Sequence, residues 1–344
     1  MNENPFIFGK VVKGEHFCDR EKEMAQVKKI VNSKQHMVII SPRRYGKTSL
    51  VINAMEKNKI PFLYIDCTLI DDEKSLANML VNEFAKKIDN TAMLEKILKK
   101  VKVSFSISLN PLSVTVEQVK MDSLKGIVTE ITKHYVIAFD EFQDLYEKDK
   151  KLVNKLRSVV QFLEKTIIML GSKRHLLQAM FLKPRGIFYN FGYALHLEKI
   201  GEEEFKTFIA HWFKKNHIEL TKTDLDEILE ISQCHPFFTQ YLCHFLFEKR
   251  SVGKTTVSDV LGDILKTNAA FYEETFRTLP SSQRKALLLL CSGKKELYSA
   301  EALKQFNIAN TQTLQKSLKA LIKKEIIDKN GNYHILDVFV ERWL

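Results

Sequence analysis

Cysteine is scarce in this chain and scattered. Cys18, Cys67, Cys234, Cys243 and Cys291 form an odd set of five, without the paired spacing of a zinc site, a redox motif or a disulfide framework. A metal-stapled or disulfide-built fold is thereby excluded, and reduced thiols are expected. Glycine (12) and proline (7) are few for 344 residues, which argues against long unstructured linkers. No stretch of about 18 uncharged apolar residues occurs. Met1 to Lys10 has no basic segment followed by an apolar core and a small-residue cleavage site. Neither a membrane span nor secretion is expected, and a cytoplasmic location is. Nucleophile-elbow, dinucleotide-loop and clustered-ligand patterns are also missing, which disfavours a protease, a dehydrogenase or a metalloenzyme.

What is present is enough for two or three domains, with 45% hydrophobic residues to build their cores. The formal net charge of +11 would draw nucleic acid, acidic membranes or acidic proteins, although a lysine-rich genome gives the same surplus with no polyanionic partner. Met37-Val38-Ile39-Ile40 is an uninterrupted apolar run rich in β-branched residues, followed by a turn and helix-forming residues. Runs 61–66, 134–140 and 166–171 repeat the pattern, with amphipathic stretches between them. The expected fold is therefore α/β, a parallel sheet covered on both faces. Residues 101–108 and 112–116 alternate around Asn110-Pro111 and read as an inserted β-hairpin, either packed on the domain or projecting toward a partner. From Gly201 the character is helical, over 202–215, 222–233 and 236–249. From Ser281 three short helices (282–290, 299–306, 311–324) precede two strands around Asn330-Gly331, the pattern of a winged helix. The expected division is an α/β core over 1–200, a helical domain over 201–275 and a winged helix over 276–344.

The chemistry sits after the first strand. Ser41-Pro42-Arg43-Arg44-Tyr45-Gly46-Lys47-Thr48 is a P-loop with serine at its first glycine position. Such a loop wraps phosphates with backbone N–H groups at a helix N-terminus; Lys47 adds a charge and the Thr48 hydroxyl can ligate Mg²⁺. Ser49 closes the loop. The strand ending at Asp140-Glu141 supplies the second half, Asp140 for the magnesium shell and Glu141 for the attacking water. The two motifs are expected to meet across adjacent strand tips. Ser172, after the next strand, is a candidate γ-phosphate sensor or a simple turn residue. Arg174 and Arg185 are candidate phosphate-reaching arginines or solvated surface charges.

With these motifs in this order, the sequence resembles the archaeal-type AAA+ ATPases close to the STAND signalling ATPases and the origin-recognition initiators. The resemblance covers nearly the whole chain: Pro5 to Gly9, Phe17 to Glu23, the P-loop, Phe139 to Gln143, Gly171-Ser172, Cys234 to Phe238, Asp337 and the terminal Arg342-Trp343-Leu344. It implies base-side contacts at Phe17, Arg20 and Glu21, and a lid signature at His235-Pro236, where Cys234 stands in place of the usual glycine. It also implies ATP and Mg²⁺ as ligands.

The helix over 311–324 carries Gln312, Gln315, Lys316 and Lys319 on its polar side, suited to a DNA major groove or to a protein surface. The expected function is a slow ATP-hydrolysing switch whose nucleotide state controls lid and winged helix, associated with duplex DNA, with a homo-oligomer in which an arginine donated across the subunit interface completes the site. The rivals are a STAND-like signalling or defence ATPase acting on a protein without DNA, and a nearly inert nucleotide-binding module.

Overall fold

The computed structural model describes residues 3–344 except 89–90, 102–103, 110–111 and 119–122. The chain forms two compact units, one of Val11–Lys199 and one of residues 3–10 with 200–344.

In the first unit the strands are β1 (Met37–Ile40), β2 (Phe62–Asp66), β3 (Ser104–Leu109), β4 (Leu112–Gln118), β5 (Val136–Asp140), β6 (Ile167–Gly171) and β7 (Tyr193–His196). The helices are α1 (Glu21–Asn32), α2 (Lys47–Lys57), α3 (Glu73–Ala85), α4 (Thr91–Lys100), α5 (Ser123–Thr132), α6 (Phe142–Lys148), α7 (Lys150–Val160) and the short α8 (Arg174–Leu177). Five strands make one parallel sheet in the order β2-β5-β6-β1-β7. Side chains alternate across it. Val38, Ile40, Leu63, Ile65, Ile137, Phe139, Ile167 and Met169 enter one core. Met37, Ile39, Val136, Ala138, Ile168 and Leu170 enter the other, beneath α1 and α2. Strands buried on both faces have no polar side, which is why they read as continuous apolar runs. Helix α2 sits on this second core through Leu50, Val51, Ala54 and Met55, all at most 1% exposed. At about 1.5–3 kcal/mol per large apolar side chain buried, that face holds the helix N-terminus at the tip of β1.

The expected adjacency of the P-loop strand and the acidic strand is corrected here. β6 lies between them, paired with β1 on one side and β5 on the other. Parallel strands need crossover connections, and such a crossover allows a strand later in sequence to be laid between two earlier ones. The edge strand β7 escaped the sequence reading because it is short and largely exposed, with only Leu195 of its four residues buried.

β3 and β4 form the expected antiparallel hairpin, whose Asn110-Pro111 turn and residues 102–103 lie outside the described residues. It packs rather than projects. Val114 and Val116 are buried, and the ladder edge of β4 is met by α3: Asn82 Oδ1 accepts from Val114 N at 2.9 Å and Asn78 Oδ1 from Val116 N at 2.6 Å. Those two asparagines satisfy a strand edge that would otherwise invite pairing with another chain.

The second unit holds α9 (Glu202–Lys215), α10 (Lys222–Ser232), α11 (Pro236–Val252), α12 (Val257–Thr278), α13 (Ser281–Cys291), α14 (Ala300–Gln305), α15 (Thr311–Lys323), the hairpin β8 (Ile327–Asn330) and β9 (Asn332–Ile335), and α16 (Val338–Trp343). The 22-residue α12 is an element the sequence reading did not single out. The winged helix has its own core, with Leu287, Leu289, Leu314, Leu318, Leu321, Ile327 and Ile335 facing inward. Gly331, at φ 71°, makes the hairpin turn that glycine favours. The segment 3–10 joins this unit through Phe6, 1% exposed among Phe208, Phe213 and Phe247. Among the described residues no helix is long and apolar enough to cross a membrane.

Candidate active site

The site is built where β1, β5 and β6 end. Gly46 caps α2 in the left-handed region at φ 85°, and a Cβ there would stand 3.8 Å from the Phe17 ring. Phe17 thus lies beside the P-loop. The first helical hydrogen bond, Leu50 N to Gly46 O at 2.8 Å, places the first turn of α2 at the loop, and first-turn N–H groups have no intrahelical acceptor. Those groups and the helix dipole favour an anion. Lys47 is 5% exposed, and its Nζ donates to the carbonyls of Pro42 at 3.2 Å and Ser41 at 3.5 Å. Ser41, Pro42 and Tyr45 are buried while Arg43 and Arg44 are exposed, Arg44 at φ 65°. Ser41 is not among the residues at positive φ, so its position needs no glycine, and its hydroxyl donates to the Pro42 carbonyl at 3.1 Å. The Ser49 hydroxyl is engaged with Val12, accepting from its N–H at 3.0 Å.

Thr48 and Asp140 come together: Thr48 Oγ1 donates to Asp140 Oδ2, and Tyr64 Oη donates to the same oxygen at 2.8 Å. Asp140 is 4% exposed, and its Oδ1 accepts from Glu141 N at 2.8 Å. Burial, then the Asp140 carboxylate, pushes the Tyr64 phenol well above its ordinary range, so Tyr64 remains a donor at every physiological pH. The buried Cys67 thiol is also pushed up, by burial and then by nearby carboxylates led by Asp140, which keeps it protonated and unreactive.

Glu141 begins α6 in the left-handed region at φ 47°. For a non-glycine residue that costs about 1–2 kcal/mol, and such strain concentrates at functional sites. Its Oε2 accepts from Ser172 Oγ at 2.8 Å and Ser172 N at 3.2 Å, so β6 delivers Ser172 to the acid pair. A third donor to that oxygen is Gln143 Nε2, at 2.5 Å. Lys47, Thr48, Asp140, Glu141 and Ser172 therefore converge at the strand ends. Tyr64 and Gln143 were not chosen from the sequence as site residues. The available signals were positional, Tyr64 lying on the strand beside β5 and Gln143 two residues beyond Glu141.

The other candidates have different partners. Arg20 is 3% exposed, donating to Glu23 Oε1 at 2.7 Å and to the Glu198 carbonyl at 2.5 Å. Arg174 approaches Glu198 Oε1 at 3.8 Å, and Arg185 is exposed in the connection between α8 and β7. In the second unit His235 caps α11, its Nδ1 accepting from Phe237 N at 3.2 Å, with Pro236 as the first helical residue. Cys234 before it has φ 54°, the left-handed geometry that the resemblance's glycine would supply. Gln312, Gln315, Lys316 and Lys319 are exposed on α15, which contains no acidic residue.

For the metal, the fit rests on donor chemistry. A hydroxyl and one carboxylate in contact offer hard oxygens, and among the described residues no group of three or more His, Cys, Asp or Glu forms a closed cage. That suits Mg²⁺, which is held by one or two protein oxygens plus phosphate and water.

A parallel sheet of this order, a P-loop on β1, an acid pair on β5 and a polar residue after β6 define a P-loop ATPase of the AAA+ class, followed by a helical lid and a winged helix. The chain belongs to the family of ATPase domains found predominantly in Archaea, whose model matches residues 17–242. Residues 270–344 match a model described as a probable winged helix domain. In fold it is similar to a Walker-type ATPase of Pyrococcus abyssi, with 18% identity, 98% of this chain and 99% of that one covered, and a TM-score of 0.70. The Aeropyrum pernix ORC2 protein, solved as ADPNP–ADP complexes, gives 13% identity, 99% and 97% coverage and a TM-score of 0.56. The ORC1 protein of the same organism, solved in complex with DNA, gives 11%, 95% and 92%, and 0.51. No curated protein sequence matches the chain.

Proposed function

We propose that this protein is a slow ATP-hydrolysing switch, its nucleotide state read by the lid and passed to a winged helix that binds duplex DNA. The observation that carries this reading is the convergence of Thr48 on Asp140 and of Ser172 on Glu141 where β1, β5 and β6 end. In this reading the N-terminus of α2 and Lys47 hold the phosphates of ATP, with Pro42 to Ser49 as the cradle and Phe17 on the base side. Thr48 and Asp140 hold Mg²⁺, which when bound would neutralise phosphate charge. Glu141 orients the attacking water and accepts its proton, and Ser172 keeps that carboxylate in place and senses the γ-phosphate. Arg185, on an exposed connection, would act on the nucleotide of a neighbouring copy in a homo-oligomer. Residues 1–200, 201–275 and 276–344 serve as engine, lid and reader.

Coupling to the reader is supported by contacts inside the second unit. Phe339 of α16 packs on Phe238 and Tyr241 of α11, and Gln233 Nε2 donates to Glu341 Oε2 at 2.8 Å. The helix that starts at His235-Pro236 therefore touches the C-terminal helix directly, and a shift of one is felt by the other. DNA as partner is supported by the acid-free, lysine-bearing face of α15 and by the fold shared with a protein solved on DNA.

The test is ATP turnover and nucleotide binding by the purified chain, with and without duplex DNA. Lys47→Ala is expected to weaken ATP binding, and Glu141→Gln to retain binding while turnover falls about 100-fold or more, in line with loss of a positioned base. Stimulation by DNA supports the full reading. Turnover indifferent to DNA replaces its last step with a protein partner, and no binding of ATP by the unsubstituted chain ends it.

A further inference from the structure

Ser172 does not hold Glu141 alone. Gln143 is wholly buried at 0% exposure, and its Nε2 donates to Glu141 Oε2 at 2.5 Å and to Asp144 Oδ1 at 3.3 Å. With the Ser172 hydroxyl and N–H, three donors reach one carboxylate oxygen. The other end of the amide has no such reward: Gln143 Oε1 is buried without a hydrogen-bond partner. An unmet buried carbonyl carries a desolvation cost that an apolar side chain of the same shape would not incur. Turning the amide over does not help, because it would set Oε1 against the carboxylates of Glu141 and Asp144.

The surroundings make room for this arrangement. A Cβ on Gly171 would stand 2.0 Å from Gln143 Oε1 and 2.7 Å from a Leu177 methyl, so no other residue at the end of β6 leaves Gln143 where it is. Lys173 Nζ holds Asp144 Oδ1 at 2.9 Å, which fixes the second acceptor of the amide. The packing cost is thus tied to one product, the pose of the Glu141 carboxylate.

We infer that Gln143 is a positioning residue for hydrolysis, locking the rotation of the Glu141 carboxylate so that Oε2 stays on Ser172 and Oε1 is presented to the attacking water. A terminal carboxylate torsion is otherwise broad and two-fold, and Glu141 with one clamp would swing. The inference rests on the ATPase reading above and assigns Gln143 no contact with ATP.

The experiment compares the full chain with Gln143→Leu and Gln143→Glu, and with Glu141→Gln as reference, measuring kcat, KM, the Kd for ATP and Tm. Gln143→Leu is expected to lower kcat about 10- to 100-fold, the scale of a misplaced reacting group, with the Kd for ATP within about twofold and Tm unchanged or raised. Gln143→Glu, which sets a carboxylate where a donor stood, lowers kcat further with the same Kd. A Gln143→Leu protein with unchanged or higher kcat overturns the positioning role and leaves the ATPase reading standing. Parallel loss of kcat and ATP affinity also overturns it. Unsubstituted protein no faster than Glu141→Gln removes the ATPase reading and this inference together.

Discussion

At the scale of single residues, the site depends on side chains that hold other side chains. Asp140 Oδ2 receives both Thr48 and Tyr64, and the second of these has no role in the P-loop pattern. Removing only the phenolic oxygen, Tyr64→Phe, leaves the ring in place and frees Asp140 to rotate. We expect the Mg²⁺ concentration for half-maximal ATPase activity to rise about 10-fold, as for loss of a group that orients a metal-binding carboxylate. A magnesium titration of turnover checks this, and an unchanged midpoint with normal kcat would show that Thr48 alone orients the carboxylate. Lys47, Thr48, Asp140, Glu141 and Ser172 were legible in the sequence because strand-loop-helix punctuation marks them locally. Tyr64 was not, since it acts through a partner that only folding brings near, and Gln143 was not, since a two-residue spacing does not show that its amide turns back onto the Glu141 carboxylate.

At the scale of elements, short segments do the joining. The chain passes between its two units twice, at 10/11 and at 199/200. The first crossing is pinned at both ends. Phe6 is buried among three rings, with its carbonyl on His244 Nδ1 at 2.7 Å, while Val12 and Gly14 bond to Ser49 and Asn53 of α2. Phe6→Ala is expected to destabilise the second unit by about 3–5 kcal/mol, read as a lower urea midpoint followed by the fluorescence of Trp212 and Trp343, which both lie in that unit. In the same unit, Asp224 joins Arg250 through two bonds of 2.9 and 2.7 Å and caps α10 with Thr221. The Arg250 guanidinium, aided by Thr221, holds the Asp224 carboxyl down at about 2 against the desolvation that opposes it. A carboxyl lowered on folding stabilises the fold above its unfolded value near 4, and that stability is lost as pH falls through the folded value. Asp224→Asn should therefore cost about 2 kcal/mol at pH 7 and progressively less from pH 4 down to pH 2, followed by denaturation at a series of pH values. A cost independent of pH would mean that the pair contributes only geometry.

At the scale of the whole molecule, the formal surplus of +11 falls almost entirely within residues 1–200 and leaves 201–344 nearly neutral, yet α15 carries lysines and no acid. If duplex DNA is the partner, each lysine that meets a phosphate releases a counterion and contributes about 0.9 to the slope of log K against log salt. Lys316→Ala with Lys319→Ala should flatten that slope by about 2, leaving ATP turnover without DNA unchanged. Fluorescence anisotropy with labelled duplex across a salt series measures it, and an unaltered slope would move the DNA contact off this face.

The sequence by itself determined the parallel α/β core, the helical middle, the winged helix and the principal phosphate and acid motifs. Those features follow from local periodicity, turn chemistry and the fixed grammar of a strand running into a helix. Only the tertiary structure decided that β6 separates the P-loop strand from the acidic one, that the β3–β4 hairpin lies against α3, and that residues 3–10 belong with the second unit. Strand order, edge satisfaction and the destination of a terminal segment are set by contacts between residues far apart in the chain, and no local pattern encodes which of several partners will bury the same apolar surface.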